Sequence, residues 1–436
     1  MKEKSSWILY MATFPPRECG IATFTKDLVT AIDKKFAPSI KSKIIAMNND
    51  VSNIYNYPKS VILEISHSDI QEYIAAAKKI NEIEKIKLVS IQHEFGIYGG
   101  DYGCYLIDFL EILTKPVVVT FHSVLPHPNE HLRKVVESIG QRCSGIVVMT
   151  KTGVDILRND YDLAVPIEVI PHGIPLIPFV SSAKEKAVMG YKNKIILSSF
   201  GMINAGKGYE YVLDALPEVI DKFPNLLYLI IGETHPAVRM EEGEQYRNYL
   251  ESKVKELGIQ KHVKFYNKYV KLSEIIKYLQ ATDVFVCSNI DPNQITSGTL
   301  AYAVGAGRAV VSTPFLHARD FITPDIGILA EFSNSSSFRD ALIKILSDSD
   351  YKKKLEEKAY SYTRHMTWPN TASSYMTLFH NYMDPAKKSD YALPKITSDN
   401  LTKLSDDSGM MRFANNTKLD IISGHTLDDI CTNNNS

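Results

Sequence analysis

Lys207 closes the run Gly201-Met202-Ile203-Asn204-Ala205-Gly206-Lys207-Gly208, which follows an apolar segment at 195–200 and opens a helical pattern at 208–223. A glycine-rich strand-to-helix loop presents backbone N–H groups to an anion, and a lysine there adds a point charge. The same lysine on a plain helix start is a solvated surface charge. A second start of this kind is Ser297-Gly298-Thr299. The unpaired N–H groups and positive dipole end of a helix make such a turn a phosphate site, while Ser297 alone is a good cap. The chemistry suggested by both is the holding of phosphate.

Metal chemistry has less support. No Asp-x-Asp with neighbouring polar ligands is placed for Mg²⁺ or Mn²⁺, and the histidines lack zinc-ligand spacing. Asp283 ends a helix before a buried strand and is expected to cap or pack. Neither a metal nor a cofactor is expected.

The elements that must position these groups are short apolar runs alternating with amphipathic stretches. In the first half the expected strands are 8–13, 42–46, 88–92, 117–121, 145–149 and 167–170, with helices at 21–35, 69–83, 103–114 and 130–143. The rhythm restarts after Pro171-His172-Gly173-Ile174-Pro175-Leu176-Ile177-Pro178. Strands follow at 195–200, 226–231, 263–266, 284–287, 309–312 and 327–330. Helices are expected at 208–223, 242–257, 272–281, 297–305, 336–347 and 350–365. Such alternation is the signature of βαβ units in parallel sheets. Two α/β halves joined by one linker are expected to leave a cleft at the carboxyl ends of the strands, where open α/β sheets bind ligands.

Composition narrows the partners. The 436 residues carry a formal net charge of −1, so any anion is held by a few placed groups and no nucleic-acid partner is implied. Five scattered cysteines without a C-x-x-C pair argue against a disulfide scaffold and fit a reducing compartment. The apolar start is too short for a signal sequence, and no stretch approaches the ~20 apolar residues that span a bilayer. A soluble, cytoplasmic protein is expected, with peripheral membrane contact left open and the oligomeric state unspecified.

Several motifs together carry a resemblance. The Lys207 loop, Ser297-Gly298-Thr299-Leu300-Ala301-Tyr302-Ala303, Gly307-Arg308-Ala309-Val310-Val311-Ser312-Thr313, Pro171-His172-Gly173, Ala281-Thr282-Asp283-Val284-Phe285-Val286 and His365-Met366-Thr367-Trp368 resemble the carboxyl half of glycosyltransferase family 4. In the first half, Pro15-Pro16-Arg17-Glu18-Cys19-Gly20-Ile21-Ala22 and Gln92-His93-Glu94-Phe95-Gly96-Ile97-Tyr98-Gly99-Gly100 look like a bacterial subgroup of it. The resemblance covers roughly residues 7–383.

It implies a GT-B fold of two Rossmann-like domains, 1–174 on the acceptor side and 175–365 on the nucleotide-sugar side. A helix at 366–383 returns to the first domain, and a tail at 384–436 is similar to the start of a fused helical barrel. The implied activity is metal-independent, retaining transfer of a hexosyl group from a nucleotide-diphospho-sugar to a saccharide or glycan hydroxyl. A GT-B phosphorylase, a nucleotide-sugar epimerase and a non-catalytic sugar-nucleotide-binding protein are the alternatives.

Residue by residue, the resemblance puts Gly201, Lys207, Gly208, Ser297, Gly298 and Thr299 on the donor, and Gly20 close to it. The family's usual arginine before this lysine is absent, with Met202 or Ile203 in its place. Arg239 is a candidate replacement, whereas Arg247 is expected in a surface salt bridge. The Glu-x7-Glu pair of the family is replaced by Gln294 and Tyr302. His122 stands where the family contacts the reacting sugar, so His122, Lys207 and Gln294 form the expected catalytic set. Arg17, His93 and Glu94 are assigned to the acceptor. Tyr266, Lys268 and Tyr269 are placed near the base, whose identity the sequence does not specify.

Overall fold

The computed structural model describes residues 5–49 and 55–383. The expectations placed on 384–436, including the barrel-like remnant, lie outside the described residues. Two compact units emerge. Of the described residues, one comprises those up to Met149, Gly153–Ile170 and those from Ala372 to Met383, and the other comprises Thr150–Thr152 and Pro171–Thr371.

In the first unit the strands are β1 (Ser6–Ala12), β2 (Ile40–Asn48), β3 (Val61–Ser66), β4 (Ile86–His93), β5 (Val117–Phe121), β6 (Gly145–Val148) and β7 (Ile167–Val169). The helices between them are α1 (Gly20–Phe36), α2 (Ile70–Glu82), α3 (Tyr105–Ile112), α4 (Glu130–Gln141) and α5 (Lys151–Asn159). The parallel sheet runs in the order β3-β2-β1-β4-β5-β6-β7. Helices on both faces demand strands that are apolar on both faces, which is why β1 buries Ile8, Leu9, Tyr10, Met11 and Ala12 in succession. Asp69 and Asn129 cap α2 and α4 through side-chain oxygens that accept from Gln71 and Leu132 N–H.

The second unit holds α6 (Ser182–Val188), β8 (Ile195–Phe200), α7 (Tyr209–Lys222), β9 (Leu226–Ile231), α8 (Pro236–Glu242), α9 (Gln245–Glu256), β10 (Val263–Tyr266) and α10 (Leu272–Ala281). It continues with β11 (Val284–Cys287), α11 (Gly298–Gly305), β12 (Ala309–Ser312), α12 (Leu316–Phe321), β13 (Gly327–Leu329), α13 (Ser335–Ser347) and α14 (Ser349–Tyr362). The last helix, α15 (Trp368–Met383), starts here and passes into the first unit at Ala372. There Tyr375 Oη meets Thr120 Oγ1 at 3.2 Å and Phe379 packs edge-on against Tyr10. The second sheet is also parallel, in the order β10-β9-β8-β11-β12-β13.

Both sheets share one feature that matters for ligands. The chain builds outward from β1 to β3, and from β8 to β10, then returns to the other side of the first strand. The strand order therefore reverses between β1 and β4 and between β8 and β11. Loops leaving the carboxyl ends of such a pair diverge and leave a crevice in each unit.

β3 and the short helices α5, α6, α8 and α12 lie outside the elements expected above. β3 is a sheet-edge strand that buries only Ile65 fully, so its pattern lacks a continuous apolar run. Asp283 acts as expected: it accepts from Ile196 N–H at 2.7 Å and from Ser182, and pairs with Lys186.

Candidate functional site

In the second unit the crevice is built by the loops that leave β8 and β11. After β8 a single 3-10 turn (Ala205–Lys207) ends at Gly208, whose φ of 58° is left-handed. A Cβ at Gly208 would lie 2.5 Å from the Ser288 carbonyl, so only glycine lets this loop close on the end of β11. Two bonds fasten it: Ser288 Oγ donates to Lys207 O at 2.7 Å, and Ile290 N–H to Gly206 O at 3.0 Å.

Lys207 then lines a narrow pocket with Ser199, Phe200, Tyr209, Cys287, Asn289 and Thr299. The lining contains no carboxylate, and Lys207 Nζ makes no hydrogen bond or ion pair with any described residue. Burial pushes the ammonium below its ordinary pKa, with the Cys287 thiol a weaker opposing influence. Nearby His235 is lowered by its own burial and then by the Lys207 charge. Lys207 is partly buried, and a partly desolvated cation without a counter-charge is stabilised when an anion completes it.

The start of α11 supplies the complement. Ser297 Oγ accepts from Leu300 N–H at 3.3 Å, and Ser297 N–H donates to His317 Nδ1 at 2.7 Å. The N–H groups of Gly298 and Thr299 take no partner among the described residues. Thr299 is shared with the Lys207 pocket, and a Cβ on Gly201 would stand 3.6 Å from Thr299 Cγ2. Lys207, Gly201, Gly208, Ser297, Gly298 and Thr299 are thus brought together.

The remaining second-unit candidates are arranged differently from expectation. Arg239 is half-exposed and engaged by Glu244 at 3.0 Å and Glu233 at 3.4 Å, away from the lining of the pocket. Arg247 makes the expected salt bridge, Nε to Glu244 at 3.3 Å, but from a side chain that is itself buried, the residue being 3% exposed. It donates from Nη2 to Gly232 O at 2.7 Å, while Nη1 is buried without a partner. Gln294 has both amide ends occupied, accepting from Asn289 at 2.7 Å and donating to Thr296 O at 2.9 Å. Tyr302 is buried edge-on against His172. Tyr266 packs with Tyr191, Tyr278 and Lys264 on the sheet edge, Lys268 pairs with Glu274, and Tyr269 is exposed.

In the first unit, groups gather at the β1/β4 reversal. Gly20 opens α1 with open space where a Cβ would stand, and Arg17 Nη1 donates to Met47 O at 3.0 Å. His122, 4% exposed, sits 3.0 Å from Gln92 Oε1 through Nε2, its ring edge-on to Phe24. Glu94 accepts from Ser123 Oγ at 2.7 Å and from Phe95 N–H. Burial raises its carboxyl pKa, opposed by those two bonds.

His93 corrects an expectation. Its ring is wholly buried among Phe95, Tyr98 and Phe121, with neither nitrogen hydrogen-bonded, so it is out of an acceptor's reach. The following glycine-rich stretch is clamped shut. Tyr98 Oη lies 2.8 Å from Met11 O and 3.0 Å from Gln92 O, and Gly99 N–H donates to Tyr73 Oη.

Burial drives the His93 imidazole down to about 3. The unfolded chain therefore binds one more proton than the folded chain between about pH 6.5 and 3, and stability falls as pH drops through that window. His93→Leu is expected to remove up to about 1.4 kcal/mol per pH unit from this acid slope, measured by urea unfolding at pH 4–7. An unchanged slope refutes the assignment.

His317 and Cys287 were not singled out from sequence. The signal for His317 is its place one short loop after β12, at the strand ends where the other candidates lie. Among the described residues no group of three or more His, Cys, Asp or Glu is arranged to hold a metal ion, and no helix is long and apolar enough to cross a membrane.

Residues 182–362 match the family described as Glycosyl transferases group 1. A D-inositol 3-phosphate glycosyltransferase of Corynebacterium urealyticum is 24% identical over 187 residues, covering 43% of this chain and 43% of that protein. The Corynebacterium glutamicum protein of the same name is 22% identical over 311 residues, 65% of this chain and 70% of that one. Anabaena HepE, solved in complex with UDP and glucose, matches with a TM-score of 0.66 over 86% of this chain and 100% of its own, at 14% identity. At that identity the likeness is one of fold: two Rossmann-like α/β units of the GT-B type.

Proposed function

We propose that the chain is a metal- and cofactor-independent glycosyltransferase that moves a hexosyl group, with retention of configuration, from a nucleotide-diphospho-sugar to a saccharide hydroxyl in the cytoplasm. One observation carries this: the partly buried, uncompensated Lys207 ammonium shares its pocket with the amide-rich start of α11. A diphosphate satisfies both, giving the lysine an anion and the Gly298 and Thr299 N–H groups an acceptor. The matched family in 182–362 and the D-inositol 3-phosphate glycosyltransferases above support a sugar as the group transferred.

In this scheme the acceptor oxygen attacks as the bond from the anomeric carbon to the diphosphate oxygen breaks. Its proton passes to the departing phosphate. Lys207 and the two amides stabilise the charge that grows on the leaving group, where a placed donor counts most. His122 and Gln294 orient the sugar, and Arg17 and Glu94 the acceptor. Gln294 must exchange its internal partners to do so.

The test is a titration with UDP-, GDP- and ADP-sugars, followed by transfer assays with saccharide acceptors and anomeric assignment of the product by NMR. One donor family is expected to bind and to turn over only when acceptor is present. Equal affinity in Lys207→Ala refutes the diphosphate site. Turnover of donor alone favours an epimerase. Binding without turnover favours a non-catalytic role, which the inward-facing Gln294 and Tyr302 make a specific second reading.

A further inference from the structure

His317 lies outside the groups assigned above, yet it touches two of them. It is 3% exposed and is the second residue of α12, which follows the loop that leaves β12. Its backbone N–H donates to Gln294 O at 3.1 Å, and its Nδ1 stands 2.7 Å from Ser297 N. A backbone amide can only donate, so Nδ1 is the bare nitrogen and the ring is the neutral Nε2–H tautomer. Stacking on Phe321 at 5.3 Å and 13° holds the ring plane. Burial, with a smaller contribution from His172, keeps the imidazole neutral down to about 3, so the acceptor survives across the physiological range.

The consequence concerns which amides of α11 remain for a ligand. Four N–H groups at a helix start lack intrahelical partners. Here Ser297 Oγ takes that of Leu300, while His317 takes that of Ser297 just ahead of the helix. On the far side, the His172 ring closes on Gly298, where a Cβ would lie 2.9 Å from His172 Nε2. Two histidines thereby grip the turn, and the unspent amides are those of Gly298 and Thr299, the second of which lines the Lys207 pocket.

We infer that His317 is a positioning residue for the donor diphosphate: by accepting the Ser297 N–H it sets the turn so that the Gly298 and Thr299 amides face the anion. This rests on the diphosphate site proposed above. The role belongs to one atom, a bare acceptor bonded to Cγ. Asparagine carries a carbonyl oxygen at that position, whereas glutamine carries its own one bond further out, near Nε2.

The experiment compares His317→Asn with His317→Gln and Lys207→Ala by calorimetric titration with UDP, GDP and ADP, and with the corresponding nucleosides, alongside thermal unfolding. His317→Gln is expected to weaken the best diphosphate about tenfold, the cost of misplaced charge-assisted amide bonds, while His317→Asn stays within about threefold of the native chain. Nucleoside affinity should be alike in both. Native-like binding by His317→Gln, equal losses in the two variants, or parallel loss of nucleosides each overturns the inference.

If Lys207→Ala still binds diphosphate, the site itself is wrong. If Lys207→Ala fails and His317→Gln does not, only the role of His317 is wrong. Amide hydrogen exchange on the native chain adds a readout independent of variant folding. Ser297 should be protected without ligand, and Gly298 and Thr299 only after UDP, GDP or ADP is added. Ser297 exchanging as fast as Gly298 contradicts the bond.

Discussion

Lys207→Met is expected to bind nucleoside diphosphate about a hundredfold more weakly while melting no lower than the native chain. The two effects have one cause. A charge-assisted bond to phosphate contributes about 1.5–3 kcal/mol, which is where the loss of affinity arises. In the unliganded chain the same ammonium is partly desolvated beside Cys287 and His235 with no acid in its pocket. An apolar side chain of similar length removes that penalty, a gain of about 1 kcal/mol of the kind seen when a functional residue is made inert. Calorimetric titration and thermal unfolding measure the two halves, and a clear fall in melting temperature contradicts the unpaired-cation account.

The pH dependence follows with its sign. Because burial lowers the Lys207 pKa, the free site loses its proton below the ordinary lysine value, and bound anion pulls the pKa back up. Diphosphate affinity should therefore fall on the alkaline side, beginning below the ordinary lysine value near 10.5, and Lys207→Met should abolish that limb.

Much of this was legible in the residues, for identifiable reasons. Strands covered on both faces must be continuously apolar, so β5 and β9 stood out, whereas edge strand β3 did not. The meeting of the Lys207 loop with the start of α11 was legible because each follows an apolar strand, and β8 and β11 are neighbours in the sheet. Side-chain direction was harder. His93 and Glu94 are neighbours at the end of β4, and successive strand residues face opposite ways, so one is sealed among aromatic rings and the other bonds Ser123. Arg247 could have been placed: with Leu250 and Val254 it falls at i, i+3 and i+7 on the buried stripe of α9. Gln294 could not, because its partners Asn289 and Thr296 are set by the path of a loop.

The largest loss of stability is expected from Gly232→Ala, and it bears on the same pocket. Gly232 follows β9 with φ of 145°, a region open essentially to glycine alone. A Cβ there would lie 1.9 Å from Gly201 O and 2.9 Å from Gly201 C, so backbone meets backbone and no rotamer relieves it. The residue cannot move aside, since its N–H donates to Tyr266 O at 2.9 Å and its carbonyl accepts from buried Arg247. The yielding partner must be Gly201, which starts the Lys207 loop and abuts Thr299. A cost of about 3 kcal/mol and a fall of roughly 10 °C in melting temperature are expected, together with weakened diphosphate binding. Gly258→Ala is the matched control, left-handed at φ 68° with nothing within 4 Å of its Cβ, and should cost only about 1 kcal/mol. Equal melting temperatures for the two variants would show that Gly232 and Gly201 are not in contact, and with them would go the account of how β9 holds the lysine loop in place.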